Sequence, residues 1–123
     1  MRENDFRRIA LGMEGAVEGA HMGHPDFRVH NRIFATLHDD REFGMAALTP
    51  DQQEQFMRVH PDVFVPESGA WGRGGSTRVR LAAIPEETLG EAMTLAWQNI
   101  VNNAASKPTP KRSAKPVRRS KKR

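Results

Sequence analysis

The sequence predicts an α+β domain, a single two-layer unit in which an antiparallel sheet carries helices on one side. Three observations carry that expectation. Apolar residues recur at helical spacing near the start, in the middle and toward the end of the chain. Segments between them alternate apolar and polar with the period of a strand, and short turn signals join them into a meander of three or four strands. The resulting order, α-ββββ-α-β-α, places helices against one face of an antiparallel sheet.

Taken in order, Phe6, Ile9, Ala10 and Met13 follow the i, i+3, i+4, i+7 rule and define a first helix, with Asn4 or Asp5 near its start and Gly12 and Gly15 at its end. Phe27-Arg28-Val29 alternates, His30-Asn31 fits a tight turn, and Ile33 to Leu37 has strand composition. His38-Asp39-Asp40 turns the chain again, and Glu42 to Leu48 returns as the next strand. Thr49-Pro50-Asp51-Gln52 is a helix start, with Thr as N-cap, Pro at the first helical position and Gln placed to close a capping box. That helix runs to about His60, where Pro61 stops it and His60 serves as C-cap. Residues 61–76 hold two prolines and four glycines and read as a long irregular loop. Thr77 to Leu81 alternates as a strand, with Val79 and Leu81 on one face and Arg78 and Arg80 on the other. Pro85-Glu86-Glu87 opens a last helix whose Leu89, Met93, Ala96, Trp97, Ile100 and Val101 form one apolar stripe.

At 123 residues and 13.8 kDa the chain supports one core. It has no cysteine, which excludes a disulfide scaffold and every cysteine-based zinc or iron–sulfur module. It has no long apolar run and no apolar leader, so a soluble cytoplasmic protein, nucleoid-associated if it binds DNA, is the expectation. The formal charge of +4 is a sum of opposites. From Ser106 to Arg123 there are nine basic residues and no acid: Lys107, Lys111, Arg112, Lys115, Arg118, Arg119, Lys121, Lys122 and Arg123. Residues 1–105 hold ten arginines, no lysine and all fifteen acids, for a net charge of −5. The expected organisation is therefore a folded domain over 1–105 and a disordered basic tail over 106–123, because the tail has almost nothing apolar to bury against the entropy of ordering.

In the body, Trp71 and Arg73 stand in the glycine-rich run Gly69 to Gly75, where a Trp can stack a base while the guanidinium meets a phosphate. The alternative is that the glycines only reverse the chain and Trp71 lids the core. Arg78 and Arg80 share a strand face, and Arg28 occupies the polar phase of its own strand. If those strands are neighbours, these arginines, with Arg32 and Arg73, form a phosphate-contacting patch. The alternative is cross-strand ion pairing with Asp26, Glu42 or Glu67. His21 and His24, near Glu18, Asp26 and His30, match no metal-binding spacing, so no metal or cofactor is expected. The chain has no Cys or Tyr, Ser68 and Ser76 lack a nucleophile-elbow context, and the paired acids sit where turns and helix starts want them, so no enzyme is expected.

Two segments together resemble the MmcQ/YjbR family of small bacterial proteins. His21-Met22-Gly23-His24-Pro25-Asp26-Phe27-Arg28-Val29, followed by Arg32-Ile33-Phe34-Ala35, resembles that family's G-x-P-x-F-R-V…K-I-F-A block. Gly69-Ala70-Trp71-Gly72-Arg73-Gly74-Gly75-Ser76-Thr77-Arg78-Val79 resembles its G-x-W-G-R-x-G-x-T-R-V block. The resemblance covers roughly residues 3–102; Arg32 stands where Lys is usual, Ser76 where an aromatic often sits, and the tail has no counterpart. It implies a compact domain likened to double-wing DNA-binding modules and to secretion-chaperone folds. The function expected is sequence-nonspecific DNA binding by a monomer, the tail supplying affinity and the surface around Arg28, Arg32, Trp71, Arg73, Arg78 and Arg80 adding orientation. The other readings are a protein-interaction module that binds a partner chain on its sheet or loop and, third, a small-ligand-binding domain or enzyme that uses the Gly/Trp loop. None of them involves a membrane.

Overall fold

The computed structural model describes residues 2–38 and 42–106. The sequence-predicted turn at Asp39-Asp40 and the tail cations from Lys107 onward lie outside them. Four helices and six strands follow in the order α1 (Glu3–Leu11), β1 (Val17–His21), β2 (His24–Val29), β3 (Arg32–Leu37), β4 (Phe43–Ala47), α2 (Pro50–Val59), β5 (Phe64–Pro66), α3 (Gly69–Arg73), β6 (Ser76–Arg80) and α4 (Glu86–Ser106). The strands form one antiparallel sheet in the order β1-β2-β3-β4-β6-β5, with the helices on one side, as the sequence predicts. None of the described helices is long and apolar enough to cross a membrane.

Local chemistry accounts for most of the elements. In α1 the Asp5 carboxylate accepts the Arg2 backbone N–H at 2.9 Å, so Arg2 is the N-cap and Asp5 acts from within the first turn. The helix stops at Leu11, which leaves Met13 beyond it, packed against the core all the same. At α2 the capping box closes as expected: Thr49 Oγ1 accepts from the Gln52 N–H at 3.2 Å, and Gln52 Oε1 accepts from the Thr49 N–H at 3.0 Å. Two-residue turns join the first three strands. Met22-Gly23 has φ of 50° and 82°, and His30-Asn31 has φ of 53° and 65°. Positive φ at both central positions gives the twist a two-residue hairpin needs. The fourth strand of the meander is β1, ahead of Phe27.

The sequence-predicted irregular loop over 61–76 is corrected: it contains β5 and α3. β5 is three residues ending in Pro66, and it holds an edge position paired only to β6. Proline tolerates that place because one side of an edge strand donates to no neighbour. The short helix α3 is held by close approach. A Cβ on Gly72 would overlap the backbone carbonyl of Glu67, so only glycine lets this helix sit there. Gln53 of α2 reaches across and places its Nε2 3.1 Å from Gly72 O, Ser76 O and Thr77 Oγ1.

α4 lies across β2, β3 and β4 and meets α1. Its Leu89, Met93, Ala96 and Ile100 are buried with Phe6, Phe27, Phe34, Ala35, Leu37, Val79 and Leu81. The Phe6 and Phe27 rings pack tilted at 5.9 Å between centroids. Trp97 is at the margin of this core, where its indole N–H donates to Glu14 O at 2.8 Å.

Gly75 joins α3 to β6 at φ +114°, and a Cβ there would overlap Leu48 O. Gly75→Ala should therefore destabilise the fold by about 2 kcal/mol or more through strain and clash together. A urea-denaturation midpoint equal to that of the unsubstituted chain would contradict this account.

Candidate functional site on the open sheet face

With α1, α2 and α4 packed against one side, every second strand residue stands on the other. Register identifies that open face. Asp26 pairs with Thr36, Thr36 with Met45, and Met45 with Arg78. A bulge between Phe27 and Arg28 keeps Arg28 opposite Ile33. Phe43 carries the guanidinium groups of Arg78 and Arg80 over its ring, at 5.1 and 4.9 Å from the centroid.

Two arrangements of one kind occupy this face. In the first, Asp26 is fully buried and accepts from Arg28 Nε at 2.7 Å and Arg28 Nη2 at 3.0 Å, while His21 Nδ1 lies 2.8 Å from its Oδ2. Gly19, across the strand, leaves the space that the ion pair occupies: a Cβ there would come within 3.1 Å of Asp26 Oδ1. In the second, Glu67 accepts from Arg78 Nε at 3.3 Å and has His38 Nε2 at 2.7 Å. Each carboxylate thus bridges an arginine and a histidine. An ionised carboxylate only accepts, so His21 donates from Nδ1 and His38 from Nε2. In the neutral rings the remaining nitrogens, His21 Nε2 and His38 Nδ1, are then acceptors. His24 packs its ring 5.8 Å from His21, and its Nδ1 is buried without a partner among the described residues.

Both histidines line one pocket of about 440 Å³ that runs from β1 to α3. Ile33, Met45 and Ala47 supply its apolar surface, and Glu67 and Trp71 also line it. The hydroxyls of Thr36, Ser68 and Ser76 complete it, and no side-chain hydrogen bond joins them to another described residue. Trp71 is 77% exposed, so it does not lid the core. A second cavity, of about 620 Å³, lies between the end of α2 and α4, lined by Phe56, Val59, His60 and Leu95 among others.

The sequence-predicted arginines divide. Arg28, Arg78 and Arg80 do share the open face, but β3 and β4 separate β2 from β6, so the condition for a single cluster fails. Arg28 and Arg78 are instead matched by Asp26 and Glu67. Arg80 donates to Asp62 O at 3.2 Å. Arg32 is exposed and pairs with the core residue Val29, out of phase with Ile33. Arg73 ends α3, exposed and without an ion-pair partner among the described residues. Thr36 and His38 escape a sequence reading of function, and Glu67 enters it only as an alternative ion-pair partner for the arginines. No local signal shows that His38 and Glu67, 29 positions apart, will meet. No group of three metal-ligating side chains occurs among the described residues.

The Arg28 guanidinium, then the His21 ring, hold the Asp26 carboxyl below its ordinary range against the opposing effect of burial. A depressed folded-state pKa stabilises the fold above the unfolded value, about 4, and that contribution is lost as pH falls through the folded value. Arg28 keeps a third of its side chain exposed, so solvent screens part of the pair. Asp26→Asn should cost about 2 kcal/mol at neutral pH, and the gap to the unsubstituted chain should narrow below about pH 4. Urea denaturation from pH 7 to pH 3 measures it; a gap that stays constant would disprove the assignment.

Comparison with known proteins bears on the fold and the family. No curated protein matches. The crystal structure of Deinococcus radiodurans protein DR2400, with a DUF419 domain, superposes with a TM-score of 0.70 at 18% identity, covering 82% of this chain and 79% of that one. That likeness is one of fold. The YjbR family model matches residues 11–99, which include the sheet, both histidine–carboxylate–arginine groups and most of α4, and on that match the chain belongs to the YjbR family.

Proposed function

We propose that this protein is a non-catalytic DNA-binding protein that contacts the phosphate backbone without reading sequence, and that its segment from Ser106 to Arg123 supplies the affinity. The observation that carries this reading is the segregation of charge. Nine cations and no acid fall within the last eighteen residues, behind a body of net charge −5. Arginines on the open face support only a secondary share for the domain, because Arg28 and Arg78 are already engaged by carboxylates. Its contribution falls to Arg32, Arg73, Arg80 and Trp71, which are exposed. A body of this charge repels a polyanion except where its cations gather, so the tail acts as anchor and the domain as what it carries.

A second reading is favoured by one observation. The open face and its edge strand expose Val17 and Trp71 at 59% and 77%, which suits contact with a partner chain.

Salt dependence discriminates. Each phosphate neutralised contributes about −0.9 to the slope of log K against log salt on duplex DNA. The full chain should lose about 10³-fold or more in affinity between about 50 and 200 mM salt. Replacing all nine tail cations by Gln should abolish the slope and most of the binding. Absence of duplex binding by the full chain at about 50 mM salt would refute this reading and leave the partner-chain alternative.

A further inference from the structure

The geometry points to the pocket on the open sheet face as a site for one unpaired nucleobase, stacked on Trp71 and contacted along its polar edge by His21, His38 and the neighbouring hydroxyls. The source of that base rests on the DNA reading above; the affinity of the pocket itself does not depend on the tail.

Size, charge and donor pattern each narrow the ligand. A pocket of about 440 Å³ is within the range of small-molecule sites, of order 300–1,000 Å³. Asp26 and Glu67 are the carboxylates behind it, and each is matched by one arginine. With neutral imidazoles the pocket therefore carries no net charge. Among the described residues that line it, a phosphate or carboxylate finds no unmatched cation, whereas an uncharged planar group meets no penalty. The carboxylates also fix which nitrogen each histidine offers. His21 Nε2 and His38 Nδ1 are left as acceptors for exocyclic amino and ring N–H groups. Thr36, Ser68 and Ser76 can donate or accept, which suits the carbonyls and ring nitrogens of a base edge.

Stacking supplies the face. Trp71 is the largest side chain the molecule leaves exposed, and it borders the pocket rather than the core. α3 has to hold it there: Gly72 is packed against the Glu67 carbonyl, and Gln53 spans from Gly72 to β6. An aromatic on a fixed mount loses little freedom when a base stacks on it, and stacking of this kind tolerates any base. Single-stranded or locally opened DNA presents such a base, and intact duplex does not. The pocket thus adds a preference for unpaired nucleotides to an anchor that has none.

The test uses the intact chain at pH 8 with the uncharged nucleosides adenosine and thymidine, followed by calorimetry and tryptophan fluorescence. Saturable binding of either, with quenching, is expected at millimolar concentration or below, and it should be insensitive to salt. The variant with nine tail Gln residues should bind the nucleoside unchanged while losing duplex DNA, which separates this site from the tail. Trp71→Ala, at an exposed position that should not perturb folding, should weaken nucleoside binding at least about five-fold, the lower end for removing one stacking aromatic. Trp71→Phe should restore most of it. Benzimidazole, of similar shape but without the exocyclic groups, should bind more weakly. No saturable binding of either nucleoside, unchanged affinity in Trp71→Ala, or benzimidazole binding as tightly would overturn the proposal, even with tail-dependent DNA binding intact.

Discussion

Covering a six-stranded sheet from one side is the constraint on which the rest of this structure depends. α4 and α1 supply the apolar cover, and the apolar strand residues that face them, Phe27, Ala35, Leu37, Ala46 and Val79, are buried. The opposite phase has no helical cover among the described residues, so its members must be tolerable in water or satisfied by one another. Asp26 and Glu67 show how that is met. Each is buried or nearly so on a face that is otherwise open, and each is compensated by an arginine and a histidine at hydrogen-bond distance. A buried carboxylate without those partners would be costly.

The same compensation alters the electrostatic picture. An acidic body rich in arginine looks able to collect cations into one patch, but β2, which carries Arg28, and β6, which carries Arg78 and Arg80, are not neighbours, and Arg28 and Arg78 are engaged by carboxylates. What the open face presents is a charge-balanced, partly apolar pocket with an aromatic border. Strong positive charge is left to the C-terminal segment. In the proposed reading, backbone attraction and base contact fall to different parts of the protein and answer to different variables, the first to salt and the second to stacking.

Particular elements show how far sequence alone reaches. The capping box at Thr49, the turn at His30-Asn31 and the apolar stripe of α4 are legible because each depends on residues a few positions apart. β5 and α3 are not. Three residues ending in proline have no strand signal of their own, and β5 exists because β6 offers it a hydrogen-bonding edge. The glycines at 72, 74 and 75 look like loop, yet Gly72 is in a helix because only a residue without Cβ fits against Glu67. At the site, Trp71 and the arginines are visible as residue types, and the pairing of Arg28 with Asp26 follows from positions two apart on one strand face. The contact of His38 with Glu67 has no such local origin.

By itself the sequence determined the α+β class, the order of the long elements, the family, and the separation of an acidic arginine-only body from a basic tail. These follow from local periodicity, capping, distinctive motifs and counting. Tertiary structure alone decided which strands are neighbours, and so which arginines are neutralised, which histidine nitrogens are left over and that Trp71 borders a pocket. Those outcomes depend on sheet order and on close backbone approach between segments far apart in the chain, and neither quantity is written in any local stretch of residues.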